Sequence, residues 1–382
     1  MFASIRRTGI VRVSSIAVLT AMLAITAAAQ KRMVIADQDA SGPGGSDMMS
    51  LLVFLQSPDV DLLGITVVTG DGWRDAEVYH ALRLVESVGR TDVKVYPGAA
   101  FPLVRTQEST RLAAQLYGKA TYMGAFSEGR KGAWNDTSNL REGQPQTKAA
   151  DEDAAHFMVR MVHAHPHQVT IYGAGPMTNI AMAIRLDPDF ASLAQELILM
   201  GGSVNPETDA KEWVNAPRHE FNFWFDPEAS SIVLRAPWPK ITITTIDASL
   251  KTHFTPAMLQ EISKSENPAA KYIARFSRAG GGVAGYLWDE LAADTWLDPS
   301  VTTKERYQYI DVSTIQGPNY GDVELYEDND KPALTLQRAH LQLDVDADKL
   351  AKDLVKLFSA PTPGGHDPVP LPPPAPAQTP AP

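Results

Sequence analysis

The chain has 382 residues, 44% of them hydrophobic and 21% charged, the balance of a globular protein with a large core rather than of a disordered scaffold. A formal net charge of -11 repels phosphate backbones and anionic membranes, which argues against general nucleic-acid binding while leaving local acidic clusters open to a cation. The absence of cysteine excludes disulfides, thiolate zinc sites, cysteine nucleophiles and iron-sulfur clusters.

At the N-terminus, Arg6, Arg7 and Arg12 precede an apolar stretch over residues 13–24, which ends in Ala27, Ala28 and Ala29 before Gln30. That charged, apolar, small-residue order reads as a signal peptide over residues 1–29, so the mature protein is expected to begin near Gln30 and to be secreted or periplasmic. The apolar stretch, about a dozen residues, is short of the roughly 20 that span a bilayer. No later stretch reaches that length, and no membrane association is expected after cleavage.

Strand and helix patterns then alternate. Residues 33–36 form a short apolar run ending in carboxylates, and residues 48–55 form an apolar helix. Residues 62–68 read as a β-branched strand that ends at Thr69, Gly70 and Asp71; a helix over 75–88 and a strand over 93–96 follow. Later come a strand over 169–172 before Gly173-Ala174-Gly175-Pro176, a helix over 179–185, and strands over 196–200 and 241–246. Apolar strands without clean alternation, separated by helices, predict an α/β fold: a single domain over residues 30–360 with a mostly parallel central sheet flanked by helices. In such sheets ligands bind at the carboxyl ends of the strands, where the acids and glycines collect here. Ten of the 22 residues from 361 to 382 are proline, which predicts an extended, mobile tail.

The most informative segment is DQDASGPGGSD, residues 37–47. Several carboxylates on a glycine-rich loop repel one another unless a cation sits among them, and hard oxygen ligands favour calcium or magnesium. The bland alternative makes Asp47 a helix N-cap and Asp39 a turn residue. A phosphate-binding loop is disfavoured, because GPGGS lacks the lysine such loops carry.

From about residue 33 to 358 the chain also resembles the inosine-uridine preferring nucleoside hydrolases. The blocks that carry the likeness occur in the family's order: DQDASGPGGSD, LLGITVVTGD (62–71), GRTDVKVYPGAAFPL (89–103), GAGPMTNIAMAIRLDP (173–188), LILMGGSV (197–204), EFNFWFDPEA (220–229) and WDELAADTWLDPS (288–300). The resemblance implies a Rossmann-like nucleoside hydrolase fold and calcium-dependent hydrolysis of the N-glycosidic bond of ribonucleosides. It also implies a dimer or tetramer.

Carried over residue by residue, the resemblance makes Asp39 a metal ligand and the catalytic base, Asp47 a metal ligand, and Asp289 a ligand of both the metal and a ribose hydroxyl. Ala174 falls where a backbone carbonyl meets the metal, Glu220 and Asn222 hold sugar hydroxyls, and Met200 packs beside the ribose. Asn179 and Asp226 belong to matching motifs but read as structural. Three positions depart from the family: Ser46 replaces the first aspartate of its pair, Asp71 replaces a loop asparagine, and Trp288 replaces a histidine that protonates the departing base. Ser46 is expected to bond a sugar hydroxyl, Asp71 to bind substrate or take part in catalysis, and Trp288 to stack on the base. Asp71, His219 and Glu290 are then the candidate replacement acids, and Trp73 is a second aromatic that could face a base.

This inventory suits a reaction through an oxocarbenium-like sugar, which needs an activated water, negative surroundings and help for the leaving group. The alternative is a non-catalytic, calcium-dependent nucleoside or sugar binding protein on the same fold; retention of Asp39 favours the enzyme.

Overall fold

The run expected at residues 33–36 is the middle of strand β1 (Arg32–Gln38), where Val34 and Ala36 face one side of the sheet and Ile35 the other, all fully buried. A strand apolar on both faces belongs inside a sheet covered by helices on both sides, and β1 is such a strand in this computed structural model. Residues 30–127, 133–138, 140–279 and 285–373 are described; the expected signal segment and residues 374–382 lie outside them.

The remaining strands are β2 (Val60–Val67), β3 (Val95–Pro97), β4 (Val169–Ala174), β5 (Glu196–Met200), β6 (Ile241–Thr244), β7 (Thr302–Val312), β8 (Val323–Tyr326) and β9 (Arg338–Val345). They form one sheet in the order β3-β2-β1-β4-β5-β6-β9-β7-β8. Pairing is parallel from β3 through β9, whereas β7 runs antiparallel to both β9 and β8. That antiparallel edge is absent from the sequence expectation. The first half of β7, TTKERY, is polar and largely exposed, so it carries no apolar run to betray a strand.

One face of the sheet is covered by α1 (Ser46–Gln56), α2 (Arg74–Ser87), α7 (Asp289–Leu297) and α8 (Ala347–Ser359), the other by α3 (Ala154–Ala164), α4 (Thr178–Leu186) and α6 (Pro227–Arg235); α5 (Phe221–Phe225) is a short turn of helix before α6. α1 is buried from Asp47 to Gln56, which explains why its sequence reads as apolar with little polar relief. The chain leaves β1 for β2 on one side and later returns to β4 on the other. Such a reversal opens a crevice at the carboxyl ends of the strands.

The proline-rich tail departs from its expectation over residues 361–373. His366 N–H donates to Gly89 O at 2.8 Å and Val369 N–H to Glu86 O at 2.9 Å, while the Arg83 guanidinium reaches Pro370 O at 3.4 Å. Leu371 packs against the α1–α2 side of the core. Proline gives up only its own N–H, so an extended proline-rich strand still docks through its other N–H groups and its carbonyls.

Candidate active site

The loops leaving β1, β2, β4 and β5 meet over the crevice. Gln38 lies in register with Val67 on one side and Ala174 on the other, so Asp39, Asp71 and Gly175 emerge close together although they are far apart in sequence. The Asp71 amide donates to Asp39 Oδ2 at 2.8 Å. Gly70 and Gly175 flank the same carboxylate: a Cβ on Gly70 would stand 2.1 Å from Asp39 Oδ2, and one on Gly175 2.9 Å from Oδ1. Glycine at both positions lets two backbone turns close on one side chain.

A cavity of about 460 Å³ opens here, and its walls include Asp39, Ser46, Asp47, Asp71, Ala174, Met200, Glu220, Asn222, Trp288 and Asp289. All of these were singled out from sequence. The pocket is acidic, and Asp39, Asp47 and Asp289 in it are buried. Burial, followed by the charges of Asp71, Glu77 and Asp289, pushes the Asp39 carboxyl well up. Burial and then Asp71 do the same to Asp47, and burial brings Asp289 up to about 7. The Asp47 and Asp289 side chains hydrogen-bond each other, and two carboxylates so placed need a proton or a cation between them. Asp47 is not an N-cap: it sits in the first turn of α1, where Oδ2 accepts from Ser41 N–H at 3.0 Å.

This donor set fits a hard divalent cation by its chemistry: acidic oxygens from three loops, with the Ala174 backbone beside them. Among the described residues, no group of three carboxylate or imidazole side chains already stands in a coordinating arrangement.

Glu220 is held from below. Its Oε1 accepts from Asn222 N–H at 2.8 Å, and its Oε2 from Gly202 and Phe223 N–H at 3.0 Å each. Burial raises its pKa, and these three N–H donors oppose the rise. Asn222 donates through Nδ2 to Met200 O at 3.1 Å, tying the end of β5 to α5. Gln38 Nε2 bonds Asp289 Oδ2 at 3.0 Å, and Tyr172 Oη donates to the Asp289 carbonyl at 2.9 Å, so the late aspartate is anchored to β1 and β4.

Several expectations are corrected. His219 lies outside the pocket: it lines a neighbouring cleft of about 820 Å³, with its Nδ1 3.7 Å from Asp322 and its ring against Trp224. The residue after it, Glu220, turns into the site, and a short loop aims adjacent side chains in different directions. Glu290 is also outside the walls; it is fully buried and accepts from the Ser46 hydroxyl, which excludes it as a proton donor to a bound base. Ser46 reaches the wall, but its hydroxyl also accepts from Trp288 and Asp289 N–H at 3.1 and 2.8 Å. A hydroxyl has one proton and two lone pairs, so Ser46 has nothing left for a sugar. Trp73 packs against Phe101 and Phe126 rather than in the pocket.

Asn179 and Asp226 take structural positions. Asn179 bridges Asp37 and the Ala99 amide at 2.7 Å each, and Asp226 accepts from Thr178, Leu103 and Ala229.

Tyr122, Glu212, Trp213, Phe221, Ile246 and Tyr286 also line the pocket. Sequence reasoning assigned none of them a role. Tyr122 hydrogen-bonds Asp71, and burial pushes its hydroxyl pKa up. The indole of Trp288 lies 5.9 Å from that of Trp213 and 5.0 Å from the Tyr286 ring, an aromatic cluster in the same pocket as the acids. Apart from Trp288, nothing local in the sequence marks this cluster, since its members come from separate loops.

The chain matches the family model described as inosine-uridine preferring nucleoside hydrolase over residues 34–352. It is 30% identical over 231 residues to a probable uridine nucleosidase 1 of Oryza sativa subsp. japonica, covering 60% of this chain and 64% of that protein. It is 26% identical over 306 residues to the pyrimidine-specific ribonucleoside hydrolase RihB of Escherichia coli O1:K1 / APEC, covering 76% and 86%. The fold is similar to that of the plant nucleoside hydrolase PpNRh1, with a TM-score of 0.67 and 23% identity over 86% of this chain and 99% of that one. A purine-preferring ribonucleoside hydrolase from Gardnerella vaginalis gives a TM-score of 0.66 at 21% identity over 86% and 98%. With the acidic loops meeting at the switch point of a sheet of this topology, and a family match that spans nearly the whole ordered domain, the chain belongs to the inosine-uridine preferring nucleoside hydrolase family.

Proposed function

We propose that the protein hydrolyses the N-glycosidic bond of a ribonucleoside, releasing free base and ribose, with calcium held by Asp39, Asp47, Asp289 and the backbone carbonyl of Ala174. The observation that carries this reading is one pocket lined by both carboxylates and aromatic rings. A bound calcium ion supplies positive charge that keeps these buried acids ionised and favours deprotonation of water.

Asp39, fixed between Gly70 and Gly175, takes the proton of the attacking water. Asp71 and Glu220 surround the sugar with negative charge as it becomes cationic. Asn222 and Asp289 bind its hydroxyls, and such positioning is a large share of the barrier reduction. Trp288, with Trp213 and Tyr286, encloses the base. No histidine is among the described residues of the wall, and we assign proton delivery to the departing base to Glu212, beside Trp213, whose carboxyl burial holds above its ordinary pKa. Retention of Asp39 in the pocket favours turnover over binding alone, because pure binding needs no base there.

The test is base release from purine and pyrimidine nucleosides, followed by chromatography with calcium and with chelator. Chelator-sensitive release abolished by Asp39→Asn in a folded variant is the expected result, with Glu212→Gln lowering kcat more than it changes KM. Nucleoside affinity without release from any nucleoside would support the binding protein instead.

The secreted or periplasmic location rests on the N-terminal segment; among the described residues no helix is long and apolar enough to cross a membrane. Exported protein should have an intact mass that starts near Gln30. A dimer or tetramer should appear in light scattering.

A further inference from the structure

Ser46 opens α1 at the edge of the acidic pocket, and its hydroxyl ties together elements more than 240 residues apart in the chain. Its proton goes to Glu290 Oε2, and its oxygen accepts from Trp288 and Asp289 N–H. Those two N–H groups stand at the start of α7, where a helix has no internal acceptors for its first donors. The residue in the cap position, Trp288, offers no side-chain acceptor, so Ser46 caps α7 from a distance. Glu290, in the first turn of α7, suits the positive end of the helix. Its second carboxylate oxygen has no partner, and its side chain is closed off from the pocket. Trp288 and Asp289, which sit between these two residues' contacts, are the ones that face the pocket.

We propose that Ser46 and Glu290 form a positioning pair, touching no substrate, that holds the Trp288–Asp289 turn and so sets where the indole and the carboxylate stand. This rests on the hydrolase reading of the same pocket. The Ser46 hydroxyl at the front of α1 donates its hydrogen bond to a buried glutamate at the front of α7.

The experiment compares Ser46→Ala, Ser46→Thr, Glu290→Gln and the Ser46→Ala/Glu290→Gln double variant in full-length protein, by nucleoside kinetics and by calorimetric titration with calcium chloride. Ser46→Ala is expected to lower kcat/KM roughly tenfold or more, mainly through KM, because it misplaces groups that bind substrate. Ser46→Thr, which keeps the hydroxyl, should recover most of that loss, and the double variant should cost no more than Ser46→Ala alone, as for residues acting as one unit. Unchanged kinetics in Ser46→Ala, additive losses in the double variant, or Ser46→Thr no better than Ser46→Ala would overturn the proposal. If the wild-type protein turns over no nucleoside, the hydrolase reading fails, and the same cycle on calcium affinity decides this one: a shared loss supports the pair, additive or absent losses reject it.

Discussion

Gly70 lies against Asp39 so closely that a single added carbon would stand 2.1 Å from the carboxylate oxygen Oδ2 and 2.6 Å from Pro176. The next residue, Asp71, donates its amide to that same oxygen. The proposed base is therefore placed by backbone rather than by neighbouring side chains.

Gly70→Ala should displace Asp39 and lower kcat/KM by about a hundredfold, the scale of an ångström misplacement in an active site. Because the change is local, most of the thermal stability should survive. Steady-state kinetics beside a melting curve checks this, and wild-type turnover in the variant would show that the position of Asp39 does not limit the reaction.

Calcium should raise the melting temperature. Asp39, Asp47 and Asp289 are buried together, with Asp71 on the same wall, and all three are pushed up by burial and by the charge of Asp71. A ligand present at a hundred times its dissociation constant stabilises by about 2.7 kcal/mol. Differential scanning calorimetry with and without chelator should show the shift, and Asp289→Asn should shrink it. Equal melting points in both buffers would remove the cation from this site.

Asp294, in α7, gives a pH dependence separate from the pocket. Burial, aided by Asp353 and Asp298, raises its carboxyl to about 7 from an ordinary 3.8. A group that holds its proton more tightly when folded adds stability at low pH and loses it as pH rises from its ordinary pKa through the folded one. At roughly 1.4 kcal/mol per unit, that loss is on the order of a few kcal/mol between about pH 4 and pH 7. Asp294→Asn should therefore melt higher than wild type at pH 8, with the advantage shrinking towards pH 4. An advantage independent of pH, or none, would contradict the assignment.

Removing residues 361–382 should destabilise the domain. The segment supplies acceptors or donors to Arg83, Glu86 and Gly89, and each net hydrogen bond contributes about 1 kcal/mol. The melting point should fall by a few degrees while kcat stays unchanged. An unaltered melting point is the result a free tail would give.

Strand positions were legible where a strand was buried on both faces: residues 196–200 coincide with β5, and residues 33–36 lie inside β1. The antiparallel edge β7–β8–β9 was not, because a half-exposed strand such as β7 spends many of its positions on polar side chains. Site residues were legible where a motif holds them in a short stretch, as with Asp39 and Asp47, or Glu220 and Asn222. Tyr122, Trp213 and Tyr286 were not, since nothing local distinguishes a pocket aromatic from a core one, and Glu212 was not, since a carboxylate outside any motif reads as a solvated surface group.

By itself the sequence determined the α/β class and the acids that could hold a cation, because periodicity and motif spacing are local properties. Only the tertiary structure decided which way adjacent side chains face. It sent Glu220 into the pocket and His219 into the next cleft, and it exhausted the Ser46 hydroxyl on Glu290 and the α7 turn. Those outcomes depend on loops and helix ends brought together across hundreds of residues, where the geometry of the meeting, not the identity of the residue, sets what each group has left to offer.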